Sequence, residues 1–178
     1  GLPVMVWLYG GAFQTGSTCE KEFNGEQLAR QGVVVVSIAY RLNVFGFFAH
    51  AMLEKEAVDG RPCANFGFLD QRMGIQWVKD NIALFGGDPA NITVFGQSAG
   101  AASALAQSVS PMNDGLFQRV IMQSGGGTGL FNRHLWSLED AQRNGARFLK
   151  YLEVESIAEA RSVPATDLLE AAVTFPAC

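Results

Sequence analysis

Histidine and cysteine are scarce in this chain of 178 residues, which holds two of the first and three of the second. Cys19, Cys63 and Cys178 are odd in number and share no metal-like spacing, so neither a complete disulfide framework nor a zinc site is indicated. Charge is thin too. Only 17% of residues are charged against 48% in the hydrophobic set, so disorder is excluded and one sizeable core is expected, in one domain or part of one. A basic excess is also missing: thirteen Lys and Arg face seventeen Asp and Glu, a formal charge of −4, the wrong sign for a nucleic-acid partner. No long run is purely apolar. The longest charge-free stretch, Pro89 to Asn113, carries Asn, Gln and several Ser, too costly in hydrocarbon for a membrane span. Gly1-Leu2-Pro3 has neither a basic region nor an apolar signal core and leads at once into a strand-like run, so the chain is expected to begin mid-protein. Composition leaves secreted and cytoplasmic settings, and the oligomeric state, open.

What is present alternates. Pro3 to Tyr9 and Val33 to Tyr40 are continuous apolar, β-branched and aromatic runs, as are the shorter Ile92 to Phe95 and Arg119 to Gln123. Such runs predict strands buried on both faces. Between the first two, Asn24 to Arg30 predicts a short helix, with Asn24 and Gln27 as a capping box and Gly32 as the stop. Between the second and third, Leu69 to Phe85 places Leu69, Met73, Trp77, Val78, Ile82 and Phe85 on one helical face, ended by Gly86-Gly87 and Asp88-Pro89. Ala99 to Val109 and Ser137 to about Leu152 complete the pattern, the latter opened by Ser137 with Asp140. Strand and helix in alternation predict an α/β fold with a mostly parallel sheet and helices on its faces.

Ligands of such sheets meet the carboxyl ends of the strands. The third strand runs into Gly96-Gln97-Ser98-Ala99-Gly100, a G-x-S-x-G turn between strand and helix. Glycines at 96 and 100 remove side chains that would collide in a turn tight enough to push Ser98 above the sheet. A helix amino end behind it favours developing negative charge, so Ser98 is the candidate nucleophile. The first strand exits into Tyr9-Gly10-Gly11-Ala12-Phe13, whose bare backbone suits N–H groups aimed at an oxyanion. Gly11 to Thr18 also fits the phosphate-loop spacing except that Ser17 stands where Lys is required, which argues against nucleotide binding. Ser124-Gly125-Gly126-Gly127-Thr128-Gly129 lacks that Lys and the G-x-G-x-x-G spacing and reads as a loop.

Phe85 to Gly100, reading FGGDPANITVFGQSAG, resembles the serine signature of type-B carboxylesterases, the family of cholinesterases and bile-salt lipase. Val4 to Phe13, Tyr40 to Asn43, Asn65 to Arg72 and Gln123-Ser124-Gly125 stand at the family's places and in its order, over nearly the whole chain. The resemblance implies an α/β-hydrolase fold, with residues 1–178 as a partial domain lacking its N-terminal and C-terminal parts. It implies ester hydrolysis through an acyl-enzyme on a small-molecule carboxylic ester, with no cofactor and no metal. Ser98 is then the nucleophile, Gly11, Ala12 and Ala99 supply the oxyanion N–H groups, Gly96, Gln97 and Gly100 form the elbow, and Ser124 lies near the triad acid.

Two departures matter. Many members carry Glu before the nucleophile where this chain has Gln97, which makes choline esters a poorer expectation. The family's acid and His also come later than the residues that follow Ser98 here, so both are expected outside this chain, and the chain alone is expected to be inactive. A local triad of Ser98, Asp114 and His134 has the right order but poor geometry. A helix of about eleven residues carries Asp114 roughly 16 Å away at 1.5 Å per residue. His50 reads as a loop residue. The rival reading is a non-catalytic adhesion module, since some relatives keep the fold and lose the serine or its turn; here both remain.

Overall fold

A computed structural model of the chain describes residues 1–57, 63–125 and 135–176. These form two compact units, one of Gly1–Tyr40 with Phe68–His134 and the other of Arg41–Gly67 with Leu135–Cys178.

The first unit is built on four strands, β1 (Leu2–Leu8), β2 (Val34–Ser37), β3 (Gly87–Gln97) and β4 (Arg119–Gln123), in the order β2-β1-β3-β4. Every pairing is parallel, as the alternating sequence predicts. Register places Val4, Val6 and Leu8 opposite Ile92, Val94 and Gly96. Successive side chains of a strand point to opposite faces, so this set shares one side of the sheet. Against it pack helices α4 (Phe66–Asn81) and α5 (Ala99–Val109), whose Ile75, Val78 and Ala104 join Val4, Val6, Leu8, Ile92 and Val94 in the core. On the other face Trp7 is buried between Phe95 and Phe23, its ring centroid 4.8 and 5.0 Å from theirs.

Sequence and structure differ in several places. The buried row of α4 is Gln71, Ile75 and Val78, continued by Ile82 in a 3₁₀ turn, whereas Met73, Trp77 and Phe85 are exposed, Met73 at 71%. Counting apolar residues alone misplaces the face because its first member is a Gln whose amide is satisfied by hydrogen bonds to Ser103 and Gln107. Asp88-Pro89 does not stop the helix but lies within β3, since the turn is already made by Gly86 at φ 81°. The short helix α1 (Glu26–Ala29) has no capping box: Asn24 accepts from the Glu26 amide at 3.0 Å, with Gly25 at the cap. Lastly, neither β2, whose residues are half-buried or exposed, nor β4 is buried on both faces. Strand β4 has one neighbour among the described strands and exposes Ile121 and Met122.

The second unit is helical: α2 (Asn43–Phe47), α3 (Ala51–Glu56), α6 (Leu138–Tyr151), α7 (Ile157–Ser162) and α8 (Ala165–Thr174). Leu53, Leu149 and Ile157 form its core. Ser137 caps α6 by accepting from the Asp140 amide, as its sequence predicts. His50 is neither loop filler nor ligand. Its ring Nδ1 accepts from the Met52 amide at 3.0 Å and so caps α3. Among the described residues no helix is long and apolar enough to cross a membrane.

Two expected outcomes follow. Truncating Ile75, fully buried, to Ala should lower stability by about 2–5 kcal/mol, whereas Met73→Ala should stay within about 0.5 kcal/mol. Urea unfolding of the two variants measures this; equal losses would contradict the assignment of the buried face. Burial lowers the His50 pKa below its ordinary value, and a protonated ring nitrogen no longer accepts from Met52. The unfolded chain therefore binds the proton more readily. The stabilisation is complete above the unfolded pKa near 6.5 and is lost as pH falls from there to the lower folded value. His50→Asn, a cap that does not titrate, should flatten this part of a melting-temperature profile taken between about pH 7 and 5.

Candidate active site

The site begins where β1 and β3 end side by side, Leu8 paired with Gly96. After Gln97 the chain reverses through Ser98, which holds φ 54° and ψ −122° and opens α5. For a residue with a Cβ this backbone is strained by about 1–3 kcal/mol and persists only when its surroundings enforce it. Here the surroundings are backbone. A Cβ on Gly100 would lie 1.9 Å from the Leu8 carbonyl oxygen, and one on Gly96 would lie 2.4 Å from the Gly100 carbonyl group. Both glycines of the turn are thus demanded by contact. The Ser98 amide donates to the Gln123 carbonyl at 2.9 Å, which ties the turn to the end of β4.

A serine at a helix N-cap ordinarily turns its oxygen back to an amide of the first turn. Ser98 makes no such bond, so its hydroxyl is not used to cap the eleven-residue helix it opens. The dipole and free N–H groups of that end favour negative charge beside the oxygen.

The loop after β1 lies against this turn. A Cβ on Gly10 would be 3.2 Å from the Ser98 Cβ and 2.8 Å from the Gln97 carbonyl oxygen. Beyond it three consecutive residues take the left-handed region: Gly11 at φ 109°, Ala12 at 55° and Phe13 at 62°. The amides of Gln14 and Thr15 both donate to the Gly11 carbonyl, at 2.9 and 3.0 Å, and close the loop on itself. Gly11 and Ala12 are exposed while Gly10, Ala99 and Gly100 are buried. Phe13 meets the ring of Phe68, at the start of α4, edge-on at 5.6 Å.

Past β4, Ser124 is exposed and left-handed at φ 54°, and Gly125 leaves room for the Ser98 carbonyl, which a Cβ there would approach to 2.4 Å. Gln97 extends beside Gly10, its Oε1 3.1 Å from where a Cβ on that residue would stand. The structure thus gathers Gly96, Gln97, Ser98, Ala99, Gly100, the Gly10–Phe13 loop and the Ser124-Gly125 turn at one end of the sheet. Asp114 lies past the far end of α5, beyond a 3₁₀ turn at Pro111–Asn113, and His50 belongs to the helical unit. His134, Cys178 and the stretch Gly126 to Gly129 fall outside the described residues.

Reading the sequence missed what lies behind the site. Tyr9 and Tyr40 stack at 4.4 Å, and each hydroxyl reaches the other's main chain: Tyr9 donates to the Tyr40 carbonyl at 3.1 Å and Tyr40 to the Tyr9 carbonyl at 2.6 Å. Burial raises both phenol pKa values, and for Tyr40 the neighbouring Tyr9 raises it further, so both stay protonated donors. Gln71, Ser103, Gln107 and Asn113 form a buried polar row beside them. Its only sequence signal is polar residues recurring at helical spacing among Ala and aliphatic neighbours.

Comparison with known proteins bears on the family and the fold. A sequence model of the Carboxylesterase family matches residues 1–175. The chain is 43% identical over 174 residues to para-nitrobenzyl esterase of Bacillus subtilis, covering 96% of this chain and 33% of that protein. It is 50% identical over 131 residues to mouse bile salt-activated lipase, covering 70% of this chain and 21% of the lipase. A carboxylesterase structure from Geobacillus stearothermophilus superposes with a TM-score of 0.85 at 41% identity, covering 98% of this chain and 36% of that one. The chain therefore spans about a third or less of the length of these relatives, and the fold it shares with them is the α/β-hydrolase fold, present here in part. With the family sequence model matched along residues 1–175 and the serine turn built as described, the chain belongs to the carboxylesterase family.

Proposed function

We propose that this chain supplies the nucleophile and the oxyanion site of a serine carboxylic-ester hydrolase, and that residues 1–178 are part of one larger α/β-hydrolase domain. The observation that carries the reading is the Ser98 turn: a left-handed serine without a capping bond at the head of α5, with the left-handed Gly11-Ala12-Phe13 loop beside it. Relatives named as esterases and a lipase support the same class of substrate, a small carboxylic ester.

In this mechanism Ser98 Oγ attacks the ester carbonyl carbon and its proton passes to a base. The C–O bond to the alcohol breaks, the alcohol leaves with that proton, and water then releases the acid from the acyl-serine. The N–H groups of Gly11, Ala12 and Ala99 bind the oxyanion of each tetrahedral intermediate. None of the three donates to a backbone carbonyl among the described loop and cap bonds, so they remain available to a ligand. Gln97, neutral where a carboxylate would stand, adds no negative charge beside the site, which favours uncharged alcohols over cationic ones. Ser124, beside the Gly125 turn, is placed to steady a triad acid that, with the His, lies outside this chain.

The test is hydrolysis of a short-chain aryl ester by an esterase of full family length that carries residues 1–178. Ser98→Ala should lower kcat by about 10³-fold or more, and the chain alone should show no steady turnover. Steady Ser98-dependent turnover by the chain alone would place a working base within it, and hydrolysis indifferent to Ser98→Ala would overturn the nucleophile. Gly11→Val puts a Cβ 2.1 Å from the Thr15 carbonyl oxygen at a φ that a β-branched residue resists. It should cut kcat by about 10²-fold while KM changes little, since the oxyanion forms after binding. Unchanged acylation in a rapid-mixing experiment would remove Gly11 from the oxyanion site.

A further inference from the structure

We infer that Tyr40 is a positioning residue for the ester chemistry, its phenol fixing the Tyr9 carbonyl at the root of the oxyanion loop, where that carbonyl lies against the first turn of the nucleophile helix α5. This rests on the reading of Ser98 as nucleophile and of Gly11 and Ala12 as oxyanion donors.

The bonds run in one direction. The Tyr40 hydroxyl donates to the Tyr9 carbonyl at 2.6 Å, and the Ser103 hydroxyl holds the Tyr40 pKa down against burial, the effect of a donor beside the phenol oxygen. Ser103 Oγ in turn accepts from Gln71 Nε2 at 3.0 Å, Gln71 Oε1 from Gln107 Nε2 at 3.1 Å, and Gln107 Oε1 from Asn113 Nδ2 at 2.7 Å. Gln71 and Ser103 are wholly buried. Donors aligned this way in a low-dielectric interior polarise one another, and the row resists displacement as a unit.

Where the row ends is what gives it a role. Tyr9 precedes Gly10 and Gly11, so holding its carbonyl fixes the direction in which the loop leaves β1. The loop's far end rests on the same residue, for a Cβ on Gly16 would lie 2.6 Å from Tyr9 Cδ2 and 2.8 Å from the Gly10 carbonyl oxygen. Ser103 belongs to the same helix as Ser98 and Ala99, one turn beyond them. The Tyr9 carbonyl that Tyr40 holds also stands against the first turn of α5, 2.8 Å from where a Cβ on Gly100 would be, so it sits between the loop that offers Gly11 and Ala12 and the helix that offers Ala99.

The experiment uses Tyr40→Phe and Ser103→Ala in an esterase of full family length carrying residues 1–178. Tyr40→Phe keeps the ring stack and removes the hydroxyl, and kcat for a short-chain aryl ester should fall about 10- to 100-fold with KM within about twofold. Labelling of Ser98 by a fluorophosphonate, whose phosphoryl oxygen seeks the oxyanion position, should slow in parallel. Ser103→Ala should show the same split with a smaller amplitude. If Tyr40→Phe does not fold, Ser103→Ala decides by the same two readouts. A lower melting temperature with kcat and labelling rate unchanged, or a rise in KM alone, would overturn the inference and leave Tyr40 a packing residue. Full kcat in Tyr40→Phe while Ser98→Ala abolishes hydrolysis defeats this inference only. Hydrolysis that survives Ser98→Ala defeats the nucleophile reading beneath it.

Discussion

The approach of α5 to the end of β1 governs this end of the molecule. With 1.9 Å between the Leu8 carbonyl oxygen and the place a Gly100 Cβ would occupy, the helix can sit where it does only if its second residue has no side chain. Gly96 meets the same constraint from β3, because a Cβ there would strike the Gly100 main chain. With helix and strands this close, the connection has room for a single residue, Ser98, and that residue is forced to a positive φ. A bulkier contact would relax the turn, lower the serine toward the sheet and separate the helix dipole from the hydroxyl.

Strain held at one place needs stiffness elsewhere. Among non-glycine residues, Ala12, Phe13, Ser98 and Ser124 all take the left-handed region at the carboxyl end of the sheet. Each would prefer to relax by about 1–3 kcal/mol. What resists is a set of neighbours that cannot give: paired strands on either side of β3, the stacked tyrosines under the loop, and a polar row with little slack. The core beneath β1 and β3 is accordingly aliphatic. Rigidity is concentrated where geometry has to be kept.

The parallel sheet was readable because its strands are continuous apolar runs separated by helix-length segments, and α5 agreed residue for residue since Ala-rich periodicity ends cleanly at Ser110 and Pro111. The serine turn was readable for another reason: glycines at 96 and 100 around Ser98 encode steric demand in composition. The outer face of α4 was not. Met73 and Trp77 have the right hydropathy and the wrong azimuth, and only contacts with distant residues decide between rows that share the 3.6-residue period. Polar residues inside the core were equally silent, because Gln71 looks like a surface residue until Ser103, Gln107 and the Phe68 carbonyl are brought beside it. In the helical unit α6 was legible, whereas α2, α3 and α7 hold at most six residues each, too few for a period to register.

The strand order β2-β1-β3-β4 has a temporal consequence. During synthesis β1 gains β2 early, but its other neighbour β3 follows on the order of ten seconds later at typical elongation rates. Even then the Ser98 amide has no acceptor until Gln123 has emerged and β4 has docked. Pairings this distant along the chain make folding slow, and they make the serine turn one of the last features to acquire its shape. The serine is thus kept from its strained conformation until most of the sheet that enforces it exists, so a nascent chain carries the sequence of the site well before it carries the site.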